Sequence, residues 1–377
     1  MTLNLNGKWN LSCADGRTAN IDMQIPGDIH SALIDANLIQ DPYYARNELD
    51  IPWVGKTDWI LERTFEVSAN LLKGRQFLTL ESADTFVLIF LNGKEAGFCD
   101  NYFKRWRFDI TKTLKAGTNT IKLVFESAEK HAEELAAKHP YIVPDSKAPV
   151  YSPHRNFVRK IQCHGGWDWG PCIMAFGIYG GIRIEQTTDC LLDYLEFAAE
   201  PVKKSGAWEA SFTVTCTAVK DCTKTFTLKI TKETEAAPAA EETFTVQLKK
   251  GENRFCRTLR VKEPEIWQPA SCTVQDKPKE NILYNAEIKT TGQRFCKKVA
   301  FRTLKVVSKA DKDGKSLYFE VNGRAVFAKG SNWIPCDALP SRQTKAKYER
   351  LLSDLIAANQ NCVRVWGGGQ YETDWFY

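Results

Sequence analysis

Along much of this chain, apolar residues recur at every second position. Phe212, Val214 and Cys216 share one parity, as do Phe226, Leu228 and Ile230, then Phe244, Val246 and Leu248. In an extended chain successive side chains point to opposite faces, so each run builds one apolar face and one polar face. Several short runs of this kind in succession predict a small antiparallel sandwich over residues 189–302. The polar stretch "KETEAAPAAEE" between two runs reads as a hairpin loop within it, because the alternation resumes afterwards.

Residues 1–188 carry the same kind of signal in "RQFLTLE", "TFVLIFLNG" and "NTIKLVFE", the last alternating Ile121, Leu123 and Phe125. Asn92-Gly93 between "TFVLIFL" and "KEAGF" predicts a type I′ hairpin. Helical insertions are expected near "GDIHSALIDANL" and "ESAEKHAEELAAK", the second ending before Pro140. This zone reads as a β-sandwich with decorated loops.

The period changes in residues 303–377. A hairpin around Asn322-Gly323 and a strand in "FAKGSNW" precede "TKAKYERLLSDLIAANQ", where Tyr348, Leu351, Leu352, Leu355 and Ile356 follow helical spacing. "CVRVWGGG" is a second buried-type strand. Strand, helix, strand is a βαβ unit with parallel pairing. A complete (β/α)8 barrel takes roughly 250 residues, so the natural protein is expected to be longer than this chain.

Composition excludes several function classes. The net charge of +5 is spread without a dense basic block, which leaves no footprint for nucleic acid. The most basic stretch, "KKVAFRTLKVVSKADK", alternates with apolar residues and reads as a solvated strand face. No run approaches the 18 apolar residues of a membrane helix, and "MTLNLNGKWNLSC" has no secretory pattern. The 12 cysteines form no Cys-x-x-Cys pair and are expected to be reduced, in a cytoplasmic protein. His30, His131, His139, His154 and His164 show no ligand spacing. Neither a metal nor a cofactor is expected.

Three loops carry the candidate chemistry. In "CHGGWDWGP", Trp167 and Trp169 flank Asp168 between Gly165, Gly166 and Gly170. Indole faces pack against sugar C–H groups and a carboxylate accepts hydroxyl hydrogen bonds, so the cluster suits one end of a hexose. The glycines would allow the dihedral angles of a tight exposed loop. The alternative is plain packing of both indoles with Asp168 capping a turn. In "RVWGGGQYE" a phosphate-cradling turn is not supported, because Gly-x-Gly-x-x-Gly spacing is missing and bulky Trp366 precedes the glycines. Arg364 and Trp366 share a parity near a strand end, where barrel enzymes place active-site residues. Arg364 could orient a catalytic carboxylate or serve a structural ion pair. In "KGSNWIPCD", Asn332 and Trp333 are candidate pocket-lining residues and Asp337 could equally cap a turn, with structural roles favoured.

In order, "NLNGKWNL", "PGDIHSAL", "NGKEAGF", "RKIQCHGGWDWGP", "EIWQPA", "VAFRTLKV", "FAKGSNWIPCD" and "VRVWGGGQYETDWFY" resemble the β-mannosidases of glycoside hydrolase family 2 over essentially the whole chain. "GWDWGP" and "VRVWGGG" are the specific segments. The resemblance implies a jelly-roll sugar-binding-like domain at 1–188, an immunoglobulin-like sandwich at 189–302 and the first part of a (β/α)8 catalytic TIM barrel at 303–377. It implies an exo-acting, retaining β-mannosidase that removes terminal β-D-mannose from oligosaccharides by double displacement. Trp167 and Asp168 would contact that mannose, Trp366 would wall its pocket, and Arg364 would support the nucleophile. The two catalytic glutamates belong to later barrel strands and are expected beyond Tyr377, leaving this segment inactive alone; Glu372 reads as supporting or structural. A related enzyme for another β-hexoside, such as a glucosaminide, and a non-catalytic carbohydrate-binding protein are the alternatives. An incomplete barrel is expected to expose apolar faces.

Overall fold

The alternating runs become strands wherever one face can be buried. The computed structural model describes residues 1–17, 20–144, 152–270 and 281–377. Its first zone contains β1 (Thr2–Asn4), β2 (Gly7–Cys13), β3 (Ile21–Ile25), β4 (Gly27–Asp28), β5 (Trp59–Val67), β6 (Arg75–Asp84), β7 (Phe86–Leu91), β8 (Lys94–Cys99), β9 (Trp106–Asp109), β10 (Gly117–Glu126) and β11 (Gly177–Thr187). They form two sheets, β1-β11-β6-β9 with β4 beside β11, and β3-β2-β5-β10-β7-β8. One core joins Trp9, Leu61, Leu80, Ile89, Leu123 and Ile184, so both sheets face the same apolar interior. Ile121, Leu123 and Phe125 point into it, as the alternation predicts.

Local chemistry explains the decorations. Helix α1 (Ile29–Asp35) starts at Asp28, whose carboxylate accepts from the Ser31 backbone N–H at 2.7 Å. This satisfies one of the donors that every helix start leaves open. A one-turn helix, α2 (Pro52–Gly55), was not foreseen; Pro52 opens it, where a missing N–H costs nothing. Helix α3 (Ala128–Lys138) is capped by the Ser127 hydroxyl and ends before Pro140. Asn92 and Gly93 adopt φ of 51° and 78°, and Asn322 and Gly323 adopt 50° and 76°. Both pairs thus take the left-handed conformation of a type I′ turn.

The second zone yields β12 (Cys190–Pro201), β13 (Ala207–Ala218), β14 (Cys222–Lys232), β15 (Pro238–Leu248), β16 (Gly251–Lys262), β17 (Tyr284–Thr290) and β18 (Gln293–Val299). Their sheets run β12-β13-β16 and β15-β14-β17-β18 around a separate core. Phe212, Val214, Cys216, Phe226, Leu228 and Ile230 are all fully buried. Phe244 and Val246 lie only half-buried, because β15 is an edge strand. The loop expected at "KETEAAPAAEE" is shorter than that stretch, since β14 extends to Lys232 and β15 begins at Pro238.

The last zone holds β19 (Leu304–Val307), β20 (Tyr318–Val321), β21 (Arg324–Val326), β22 (Gly330–Trp333), helix α4 (Lys345–Ala357) and β23 (Cys362–Val365). Cys362 donates to the Lys329 carbonyl at 3.2 Å and Trp366 to the Trp333 carbonyl at 2.9 Å. The partners ascend together, which is the order of a parallel pair, as expected for strand, helix, strand. Tyr348 is the buried residue of α4, while Leu351 and Ile356 are exposed, as are Leu304, Val306, Leu317 and Phe327. By contacts the chain divides into two compact units. One comprises 1–186, 332–351 and 365–377; the other comprises 187–331 and 352–364.

Candidate functional site

Within the first unit, "GGWDWGP" folds as a miniature hairpin. Gly165 bridges Cys172 in antiparallel fashion. One step further out, Trp167 N–H donates to the Gly170 carbonyl at 3.1 Å and Gly170 N–H returns a bond to Trp167 at 3.3 Å. Asp168 and Trp169 are therefore the two tip residues, and both are exposed. Not all three glycines are needed for conformation. Gly166 has φ of 88°, which a side chain would strain. Gly165 is required for space, since a Cβ there would lie 2.6 Å from Cδ of Arg155. Gly170 has neither constraint, contrary to the expectation for that position.

The hairpin meets the triple-glycine turn. The indoles of Trp167 and Trp366 stand at 82° with centroids 4.9 Å apart, and Trp169 meets Trp366 at 67° and 5.3 Å. Backbone joins the two loops as well, Cys163 N–H donating to the Gly368 carbonyl at 3.0 Å. A Cβ on Gly368 would fall 2.2 Å from the Trp366 ring, so the indole lies against its own turn only because that residue is glycine. A cavity of about 490 Å³ opens beside Trp366, with Gln162, Gly369, Gln370 and Tyr371 in its lining. Asp168 is directed to solvent, outside that lining.

The remaining sequence candidates are placed as follows. Trp333 is buried, and its indole N–H donates to Glu372 at 3.0 Å. The other oxygen of Glu372 accepts from the Tyr348 hydroxyl at 2.6 Å. Burial, reinforced by Glu372, pushes the Tyr348 phenol well above its ordinary pKa. Glu372 is thus a buried acceptor that ties the "YETDW" segment to β22 and α4, in keeping with a structural role. Asn332 is exposed on β22. Arg364 is exposed on β23 and is assigned to the second unit. Asp337 caps its own turn by accepting from Leu339 N–H at 2.9 Å.

Two buried groups behind the hairpin had no sequence signal. Arg155, on a one-turn 3-10 helix (Arg155–Phe157), is 6% exposed. It donates through Nη1 to the carbonyls of Gly165, at 3.0 Å, and Gly166. Its guanidinium lies 4.6 Å from the Trp167 ring centroid. Lys160 is buried too, and donates to Asp84 at 2.6 Å, to the Ala175 carbonyl and to Nδ1 of His164 at 3.2 Å. Tyr179 adds a hydroxyl bond to Asp84 at 3.1 Å. Burial alone would raise the Asp84 pKa, but Lys160 and His164 outweigh it and hold the carboxyl at about 2. Burial and the Lys160 charge lower His164 to about 4. The same two causes, with His164, lower the neighbouring His30 to about 3. These groups anchor the chain before the hairpin, at Lys160 and His164, and after it, at Ala175.

Known proteins resemble this chain over its whole length. Residues 9–180 match the family described as glycosyl hydrolase 2 galactose-binding domain-like. The whole chain is 33% identical over 395 residues to a β-mannosidase of Bos taurus, of which it covers 43%. It is 32% identical over 376 residues to β-mannosidase B of Aspergillus terreus, again covering 43% of that protein. A crystal structure of β-D-mannosidase from Dictyoglomus thermophilum superposes with a TM-score of 0.89 at 30% identity, covering all of this chain and 45% of that one. An exo-chitosanase of Amycolatopsis orientalis shares the fold alone, with a TM-score of 0.70 at 13% identity. The two-sheet domain thus matches the galactose-binding-like domain of family 2 glycosyl hydrolases over residues 9–180. More narrowly, the chain is a homologue of the β-mannosidases, spanning less than half the length of these relatives.

Proposed function

We propose that the full-length protein is an exo-acting β-mannosidase and that this chain supplies the wall holding the terminal mannose. On this reading residues 1–188 are a jelly-roll domain, 189–302 an immunoglobulin-like domain and 303–377 the opening of a (β/α)8 barrel, in a cytoplasmic enzyme. Asp168 at the hairpin tip accepts hydrogen bonds from sugar hydroxyls, and Trp167 with Trp366 offers indole surface to its C–H groups. Arg364 orients the nucleophile. The reaction is retaining: a carboxylate attacks the anomeric carbon as an acid protonates the leaving oxygen, and water then releases mannose from the glycosyl-enzyme. Both carboxyl groups lie outside this chain, which alone does not hydrolyse mannosides.

The observation that carries the reading is the perpendicular contact of Trp167 with Trp366 beside an exposed carboxylate at a two-residue tip. The test uses full-length enzyme with aryl β-mannoside, β-glucoside, β-galactoside and β-glucosaminide. The mannoside is expected to turn over best, and equal rates on all four would refute the assignment. Asp168→Ala is expected to lower kcat/KM for the mannoside about 100-fold, the scale of hydrogen bonds to a charged group. Unchanged kinetics would leave the hairpin a packing element.

A further inference from the structure

We propose that Arg155 is a positioning residue for the sugar, acting through Trp167; the inference rests on the sugar-contact reading of the hairpin above. A buried guanidinium is costly to desolvate unless its donors are met. Here they serve a particular end. Nη1 bonds the consecutive carbonyls of Gly165 and Gly166, the two residues that lead into the tip. Gly166 has φ of 88°, and this left-handed step turns two successive carbonyls toward one donor. The same planar group lies against the Trp167 indole, at 4.6 Å from its centroid. One side chain therefore fixes both the backbone entering the tip and the ring that follows it.

Further contacts hold Arg155 itself in place. Its carbonyl accepts from the Gln162 side chain at 3.1 Å, and the Gly165 carbonyl also accepts from Ser152 N–H at 2.8 Å. The Cβ-free approach of Gly165 to the arginine stem leaves room for the guanidinium and little else. Lysine could keep the charge and one carbonyl bond, but it has no flat face to lay on the indole. Trp167 touches Trp366 edge to face, so displacing one ring disturbs the surface the other presents, and Asp168 follows Trp167 directly in the chain.

The test is a double-mutant cycle on full-length enzyme with an aryl β-mannoside, using Arg155→Lys, Arg155→Met and Trp167→Ala, with Tm recorded for each. Because misplacing a contact by about 1 Å can cost on the order of 100-fold, Arg155→Met is expected to lower kcat/KM by about 30- to 100-fold. Arg155→Lys should fold with a Tm near that of the parent and lose about 10-fold, since it retains only the charge and one bond. In the Trp167→Ala background, replacing Arg155 should cost less than about threefold more, because coupled residues are non-additive. A merely structural arginine would lower Tm and leave the two losses multiplicative, and that result overturns the proposal. So does parental kcat/KM in folded Arg155→Lys, which decides the matter even if Arg155→Met fails to fold. If Trp167→Ala and Asp168→Ala are themselves silent, the sugar-contact reading fails. If they are damaging while Arg155 is silent, only the positioning role fails.

Discussion

Acidification from pH 7 to pH 5 should destabilise the first unit through two histidines buried behind the hairpin. His30 and His164 are 0% and 2% exposed, with folded pKa values of about 3 and about 4. Neither ring nitrogen of His30 has a hydrogen-bond partner among the described residues, and the Lys160 ammonium opposes a second positive charge, so protonation gains nothing there. In the unfolded chain both residues titrate near 6.5. Between pH 6.5 and their folded values the unfolded state binds more protons, so stability falls as pH falls. For each histidine the loss from pH 7 to pH 5 is about 2 kcal/mol, or about 4 kcal/mol for the pair. Asp28, raised by burial, and other groups also titrate, so the informative quantity is a difference. His30→Leu should remove about half of the loss, narrowing the pH 7 to pH 5 change by about 2 kcal/mol. Urea unfolding at pH 7, 6 and 5, followed by hydrogen exchange in peptides of β5 and β10, reports this unit separately from the second sandwich. Equal acid losses in parent and His30→Leu would show that His30 is not held neutral by burial, and the reasoning would fail.

Lys160→Met leaves the Asp84 carboxylate buried without its ammonium and should cost about 3–5 kcal/mol in the same urea assay. Adding Asp84→Asn should recover part of that loss; a loss below about 1 kcal/mol for Lys160→Met alone would mean the pair is solvated. Gly165→Ala puts a Cβ 2.6 Å from the Arg155 stem. It should cost about 1–3 kcal/mol by overpacking and lower mannoside turnover, read as Tm and kcat/KM of the full-length enzyme.

What could be read from the sequence was local, and what could not was a partner far along the chain. Asn-Gly turns, the end of α3 before Pro140 and the buried parity of Phe212, Val214 and Cys216 each depend on a few neighbouring residues, and each is as expected. Helical spacing likewise located α4 but could not say what covers it: Tyr348 is buried, whereas Leu351 and Ile356 are exposed. "CHGGWDWGP" announced indoles and a carboxylate on a tight loop, and the tip position of Asp168 follows from the Trp167–Gly170 bonds. Its orientation is another matter. Lys160 is held by Asp84, 76 positions earlier, and Cys163 is held by Gly368, some two hundred positions later. Basic residues such as Arg155 and Lys160 are ordinarily solvent-facing, so nothing in "HRNFVRKIQCH" marks them as interior. Burial of such groups is tolerated only where acceptors already converge, and apart from the distant Asp84 carboxylate those acceptors are backbone carbonyls of Gly165, Gly166 and Ala175, which carry no residue-type signature. A loop's chemistry is therefore written in its own letters, while its aim is set by carbonyls and distant side chains that only folding brings together.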